Sequence, residues 1–266
     1  MTNPENRELS AKRRWMALLA LALPFAQVAP AMAACQADSG STRAALVELY
    51  TSEGCSSCPP ADQELSKLTQ AGSRVVPLAL HVDYWDSIGW KDPFAQPAFS
   101  QRQAWEVHAN QHRTSFTPHF FVNGKEVLDW RADLGDNLKA SAAPPAARIA
   151  VTAEPRGPAS LRVKVDGTIA SNGKVHGLLQ LFVVVTEGKL SSQVNAGENR
   201  GAKLDHEAVA RNWIGPIAVQ GDSATLDRVV SVPQLAGGHV GVVAFIQDST
   251  TAEVLQAVDT GICKSS

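Results

Sequence analysis

The 266-residue chain lacks most of the patterns that announce a cofactor or a nucleic-acid partner. It has no P-loop and no dinucleotide-binding glycine pattern, so phosphate groups find no sequence-coded cradle. Nothing in its second half resembles a nucleophile–base pair. Asp83, Asp86 and Asp92 miss the D-x-D-x-D-G ligand spacing of a calcium loop. Basic charge is not in excess: 24 Lys+Arg against 26 Asp+Glu leave a formal net of −2, which argues against nucleic acid as a partner. Beyond residue 33, no run offers the roughly 20 apolar residues that a membrane helix needs. There is no internal repeat. Cysteine is scarce, with four in the chain and a single C-x-x-C, so a two-motif zinc site has no ligand set.

What is present begins with a leader. Lys12-Arg13-Arg14, the apolar run 15–25 and Ala31-Met32-Ala33 read as a signal peptide over 1–33, cut after Ala33. An uncleaved anchor is the competing reading, but Pro24 and Gln27 interrupt the run early. Cleavage shifts the formal charge from −2 to −4, because four basic and two acidic residues leave. The expected product is periplasmic or secreted, with no stable membrane insertion, and long enough for two domains. An oxidising compartment permits disulfides. Cys35 and Cys263 lie near the two mature ends, and chain ends tend to meet. A bridge between them and a pair of free thiols are both open. If formed, the bridge would add at most about 5 kcal/mol in the chain-entropy account.

Residues 44–50 read as a buried strand, 59–70 as a helix with Pro59 and Pro60 in its first turn, and 74–82 as a second strand. That order predicts a parallel β-α-β unit. Residues 83–96 read as an ordered loop of aromatics and acids, and a helix is expected from 97 to 112. Asn123-Gly124 between two apolar runs predicts a two-residue hairpin, with Pro118 at the first residue of its leading strand. Residues 131–142 read as a helix and 143–147 as a linker. Beyond it, segments 148–154, 160–166, 176–186, 206–212, 223–231, 239–248 and 253–259 read as strands of a sandwich.

Cys55-Ser56-Ser57-Cys58 falls between the first strand and the first helix. There the helix dipole and unpaired N–H groups favour a thiolate at Cys55, with a pKa between about 3.5 and 7.5 by precedent. Ser56, Ser57 and backbone N–H groups are the expected donors, and Glu53 would oppose the thiolate if it points inward. This placement, together with Thr117-Pro118 before the hairpin, resembles the thioredoxin superfamily over residues 44–140. More narrowly, residues 48–62 (ELYTSEGCSSCPPAD) are similar to the signature of a family of secreted bacterial proteins of uncharacterised function. Further marks of that family are His81-Val82-Asp83-Tyr84-Trp85-Asp86, Gly89-Trp90, and Gly197-Glu198-Asn199 with Leu204 and His206.

The resemblance implies a thioredoxin-like α/β domain over 34–142 and, after 143–147, an all-β immunoglobulin-like sandwich over 148–266. It also implies a cis Pro118 facing the cysteines, with Thr117 and Pro118 positioning an extended substrate. Three departures stand out: Gly54 replaces the usual Trp, Glu48 sits out of register with the buried acid, and Ser-Ser separates the cysteines. The expected activity is thiol–disulfide exchange, with Cys55 as nucleophile and Cys58 as resolving thiol. The partners are a disulfide or dithiol substrate, on a protein or a small molecule, and a redox partner. No organic cofactor is implied. The alternatives are a fixed disulfide without turnover, a non-catalytic thioredoxin-like binding protein, or a Cu(I) metallochaperone in which His119 or His81 joins the thiolates. The histidines lack a metal-ligand spacing from the cysteines, so no metal is assigned. Tyr84, Trp85 and Trp90 read as packed loop residues or as a substrate-contacting rim. Glu198-Asn199-Arg200-Gly201 and His206 read as turn chemistry or as a contact surface.

Overall fold

The computed structural model describes residues 34–70, 74–170, 177–232 and 239–263; the expected signal segment lies outside the described residues. The chain from Ala31 to Ser266 forms one compact unit. It opens with β1 (Cys35–Asp38) and β2 (Ala45–Thr51), followed by α1 (Pro59–Leu68) and β3 (Val75–His81). A 3-10 turn at Asp86–Ile88 leads to α2 (Pro97–Ala109), β4 (His119–Val122), β5 (Lys125–Val127) and α3 (Trp130–Ala140). Then come β6 (Ala147–Pro155), β7 (Ser160–Ile169), β8 (Leu179–Gly188), β9 (Leu190–Gln193) and β10 (Lys203–His206). β11 (Val209–Ala218), β12 (Ser223–Ser231), β13 (His239–Asp248) and β14 (Val254–Asp259) complete the chain.

Local chemistry accounts for several boundaries. Every residue of β2 is buried, as its near-continuous apolar run requires of an interior strand. α1 tolerates Pro59 and Pro60 because first-turn N–H groups have no intrahelical acceptor. α3 starts at Asp129, whose carboxylate accepts from the N–H of Arg131 and Ala132. The β4–β5 turn places Asn123 and Gly124 at φ +50° and +79°. A Cβ on Gly124 would stand 1.7 Å from the Ala252 carbonyl oxygen, so glycine alone fits.

An eight-stranded mixed sheet runs in the order β14-β13-β8-β11-β3-β2-β4-β5. β2 and β3 are parallel, with Leu49 opposite Ala79, and β4 lies antiparallel to β2, with Tyr50 opposite His119. β11 joins β3 in parallel at Val209–Ala79 and pairs antiparallel with β8. A four-stranded sheet, β1-β6-β7-β12, is separate, as is the β9–β10 hairpin.

Strand periodicity divides the core. Leu46 and Tyr50 of β2 share one cluster with Phe182 and Phe245 under Phe99 and Val107 of α2. Val47 and Leu49 point the other way, onto Ala61 and Leu65 of α1 and Leu134 of α3. Val183 and Val185 of β8 meet Ile149, Val163 and Leu226 of the four-stranded sheet.

The expected fold class needs correction. Residues 44–82 do form strand, helix and parallel strand, but a thioredoxin-like α/β domain followed by an immunoglobulin-like sandwich does not result. Among the described residues there are three α-helices against fourteen strands. The reason is β11: an open edge at β3 is an unpaired ladder of N–H and C=O groups, and β11 takes it. The β2–β3 unit thereby becomes part of the same sheet as β8, β13 and β14.

Candidate functional site

The C-x-x-C turn is built by backbone bonds at the end of β2. Gly54 N–H donates to Ser52 Oγ (3.0 Å) and Cys55 N–H to Ser52 O (3.1 Å). Cys58 N–H donates to Cys55 O (3.2 Å), and Cys58 is the N-cap of α1. Cys55 and Cys58 form a disulfide with Cα atoms 5.4 Å apart. The helix-terminus expectation is corrected in detail: the cap is Cys58 rather than Cys55. Pro59 and Pro60 have no N–H, and those of Ala61 and Asp62 both donate to Cys58 O. The side-chain oxygen nearest the Cys55 sulfur in hydrogen-bond geometry is Ser57 Oγ, at 3.4 Å. Both cysteines are closed to solvent, at 1 % and 0 % exposure, while Ser56 and Ser57 between them are exposed.

Directly upstream, Glu53 turns inward to a polar cluster. Its Oε1 pairs with His206 Nε2 at 2.9 Å, and its Oε2 accepts from Trp90 Nε1 at 2.8 Å. Its N–H donates to Asp92 Oδ2 at 2.8 Å, and the same oxygen faces His81 Nδ1 at 2.7 Å. The rings of His81, Phe94 and His206 pack edge to face at 5.0–5.4 Å. Burial pushes the Glu53 carboxyl up, but hydrogen bonds from His206, Ser192 and Trp90 outweigh it and hold the group below its ordinary value. Asp92 is likewise held down by His81 against its burial, and His81 is raised by Asp92 against its own. Asp62, one turn into α1 and buried, goes the other way: desolvation lifts it despite His81 and His206.

Thr117-Pro118 is a cis peptide. The Tyr50–His119 register carries Pro118, one step on, opposite Thr51 at the end of β2. Trp85 ties this segment to the cysteine turn. Its Nε1 donates to Thr117 Oγ1 at 2.7 Å, and its Cβ lies 3.3 Å from where a Gly54 side chain would begin. His119 is packed elsewhere, with Nε2 2.7 Å from Glu126 Oε1 and its ring stacked on Phe116. His81 is bound to Asp92. Among the described residues no group of three or more His, Cys, Asp or Glu is arranged to hold a metal ion.

The stretch read from sequence as turn or contact surface lies against the motif. Glu198 Oε2 accepts from Ser56 N–H at 3.0 Å. Asn199 Nδ2 donates to the carbonyls of Glu53 (2.8 Å) and Cys55 (2.9 Å). Glu48 belongs to a different cluster, bidentate on Arg102 at 2.7 and 3.1 Å, with Glu106 and Gln247 on the same guanidinium. Cys35 and Cys263 are joined as the second disulfide.

Sequence reading missed the assembly of Glu53, Asp62, His81, Asp92 and His206. Glu53 and His206 are 153 positions apart, and a single sequence carries no signal for that pairing. The clue available was that Glu53, Asp62, His81 and His206 all fall within the segments that carry the family resemblance.

The chain belongs to the family described as "Protein of unknown function (DUF1223)", whose model matches residues 46–247. No curated protein matches it. Two solved structures share its fold. Protein AGR_C_4864 from Agrobacterium tumefaciens is 22% identical with a TM-score of 0.59, over 84% of this chain and 95% of that one. HBP35 of Porphyromonas gingivalis is 14% identical with a TM-score of 0.60, over 85% and 77%. The thioredoxin relationship expected from the motif is corrected by these findings: neither the family nor the two structures carry it, and the described chain is mostly strand.

Proposed function

We propose that this member of the family is an exported thiol–disulfide oxidoreductase acting through Cys55 and Cys58. The observation that carries the reading is a disulfide between cysteines three residues apart, set against a buried cluster of carboxylates and imidazoles. Export is supported by the 1–33 leader and by the two disulfides.

In the reduced protein, the Cys55 thiolate attacks one sulfur of a substrate disulfide. A Cys55–substrate bond forms, the substrate S–S bond breaks, and the departing substrate thiolate takes a proton. The Cys58 thiolate then attacks the Cys55 sulfur, the intramolecular disulfide re-forms, and the second substrate thiolate leaves. Two electrons pass from the dithiol to the substrate, and a dithiol donor returns them. Asp62 suits the proton transfers, being a carboxyl raised by burial and one helical turn from Cys58. Thr117-Pro118 would position the substrate chain beside the turn.

A second reading, a permanent brace for the strand–helix turn, is favoured by the burial of both cysteines. Reduction potential separates the two. A permanent brace lies below about −300 mV, whereas exchanging couples span about −270 to −120 mV. The direct test is reduction of disulfides in a polypeptide such as insulin. Wild type should turn over and Cys55→Ser should not; equal rates would remove the enzyme reading.

A further inference from the structure

We propose that the tip of the β9–β10 hairpin, residues 194–202, is a gate over the Cys55–Cys58 pair, and that an extended polypeptide segment is what displaces it. The substrate clause rests on the redox reading above; the gate itself does not.

The hairpin leaves the large sheet after β8 and returns to it at β11, and its two strands pair only with each other. The two strands are themselves held, by His206 of β10 on the buried Glu53 and by Leu190 of β9 on the cluster under α1, so the part that opens is the tip between Val194 and Ala202. The tip touches the redox turn. Glu198 supplies an acceptor to the Ser56 N–H, and Asn199 supplies a donor to the carbonyls of Glu53 and Cys55. Three residues of the segment 53–56 are therefore engaged through their backbones, while both sulfurs are closed to solvent.

The tip is closed on itself at its base. Val194 N–H donates to Ala202 O and Gly201 N–H to Val194 O, both within 2.9 Å. Gly197 and Gly201, at φ +73° and +89°, bracket Glu198 and Asn199, the two residues that carry the contacts.

The chemistry of the contacts identifies the displacing partner. An acceptor aimed at Ser56 N–H and a donor aimed at Cys55 C=O are the two groups that an extended chain presents along its backbone. Glu198 and Asn199 thus occupy, in the closed protein, the backbone sites that an added peptide strand would use. A small disulfide without a peptide backbone offers no replacement for either bond. Ser56 and Ser57 are exposed, which gives an incoming chain a place to begin.

The test uses the full-length mature protein and a water-soluble phosphine as reductant, with alkylation and peptide mapping of both disulfides. In Glu198→Ala/Asn199→Ala, the Cys55–Cys58 bond should open at least tenfold faster than in wild type, and Cys35–Cys263 at the same rate. An unchanged Cys55–Cys58 rate, or equal acceleration of both bridges, overturns the gate. Glu198→Gln and Asn199→Asp, which keep side-chain size, should each give a smaller selective increase and guard against simple misfolding. Because the phosphine needs no turnover, this arm is decided whether or not the redox reading survives.

A second arm compares reduced wild type and double variant on a disulfide-linked unstructured peptide and on hydroxyethyl disulfide. The wild-type preference for the peptide should fall at least tenfold in the variant. An unchanged preference overturns the polypeptide clause. If wild type reacts with neither substrate, the redox reading fails and that clause falls with it.

Discussion

The two disulfides have the same Cα separation, 5.4 Å, and only Cys35 of their four cysteines is less than fully buried, yet their surroundings differ in kind. Cys35–Cys263 spans 228 positions and packs on the apolar cluster between the two sheets. It ties the first described strand to the chain's end, and neither cysteine falls within the residues matched by the family model. Cys55–Cys58 spans three positions, follows the buried Glu53 by two residues and precedes the buried Asp62 by four, and lies inside the matched region. A long loop closed in a hydrocarbon setting contributes stability. A four-residue loop contributes less in the same account.

The sharpest way to break this contrast is to remove each bridge in turn. In the chain-entropy account, Cys35→Ala/Cys263→Ala should lose up to about 5 kcal/mol, and Cys55→Ala/Cys58→Ala only about 2 kcal/mol. Disulfide exchange should respond in the opposite order: lost in the second variant and retained in the first under conditions where it is folded. Urea unfolding and an insulin-reduction assay on the same preparations check both halves. Equal stability losses would show that the short bridge is also a structural brace.

His206→Ala comes next. It leaves the Glu53 carboxylate buried with Trp90 and Ser192 as its remaining side-chain donors, and breaking such a pair costs about 3–5 kcal/mol. Adding Glu53→Gln should recover part of that loss, which a double-mutant cycle would read. The cluster also sets a pH window. Glu53 and Asp92 are lowered, so their contribution is present above the ordinary carboxylate range and lost as pH falls through their folded values. His81 is raised, so its contribution is complete below its unfolded value and lost as pH rises through the folded one. His81→Asn should flatten the alkaline limb of a stability–pH curve around the cluster.

The second buried cluster provides a control. Glu106 is pushed up to about 8, first by burial and then by the neighbouring Glu48 charge. A carboxyl raised in the folded state is most stabilising below its unfolded pKa, and that contribution is lost as pH rises to about 8. Glu106→Gln should therefore remove a separate part of the alkaline decline without touching disulfide exchange, as thermal unfolding from pH 5 to 9 would show.

Much of the local structure was legible because it rests on short-range rules. The apolar run of β2, the prolines opening α1, and Asn123-Gly124 each act within a few residues, and their elements formed close to the expected bounds. Sheet membership was not legible. One parallel contact, Val209 against Ala79, merges two segments that composition separates, and no period of 2 or 3.6 encodes it. The β9–β10 hairpin was missed because its sequence is polar and short, with little alternation to mark a strand. The cysteines of the site were legible from their spacing. The groups around them were not, because Glu53, His81, Asp92 and His206 meet only after the sheet has closed.

Gly54 carries the smallest of these effects, and it bears on how the short bridge is held. A Cβ there would lie 3.3 Å from the Trp85 Cβ, close enough to require a shift of a few tenths of an ångström. Trp85 in turn holds Thr117. Gly54→Ala should therefore cost about 1 kcal/mol, since mild overpacking costs typically 1–3 kcal/mol and the indole is only partly buried. The same shift should lower the exchange rate on peptide disulfides by moving Thr117-Pro118 away from the cysteine turn. The two readouts together separate positioning from packing: a stability loss with unchanged exchange would mean that Trp85 merely fills space between Gly54 and Thr117.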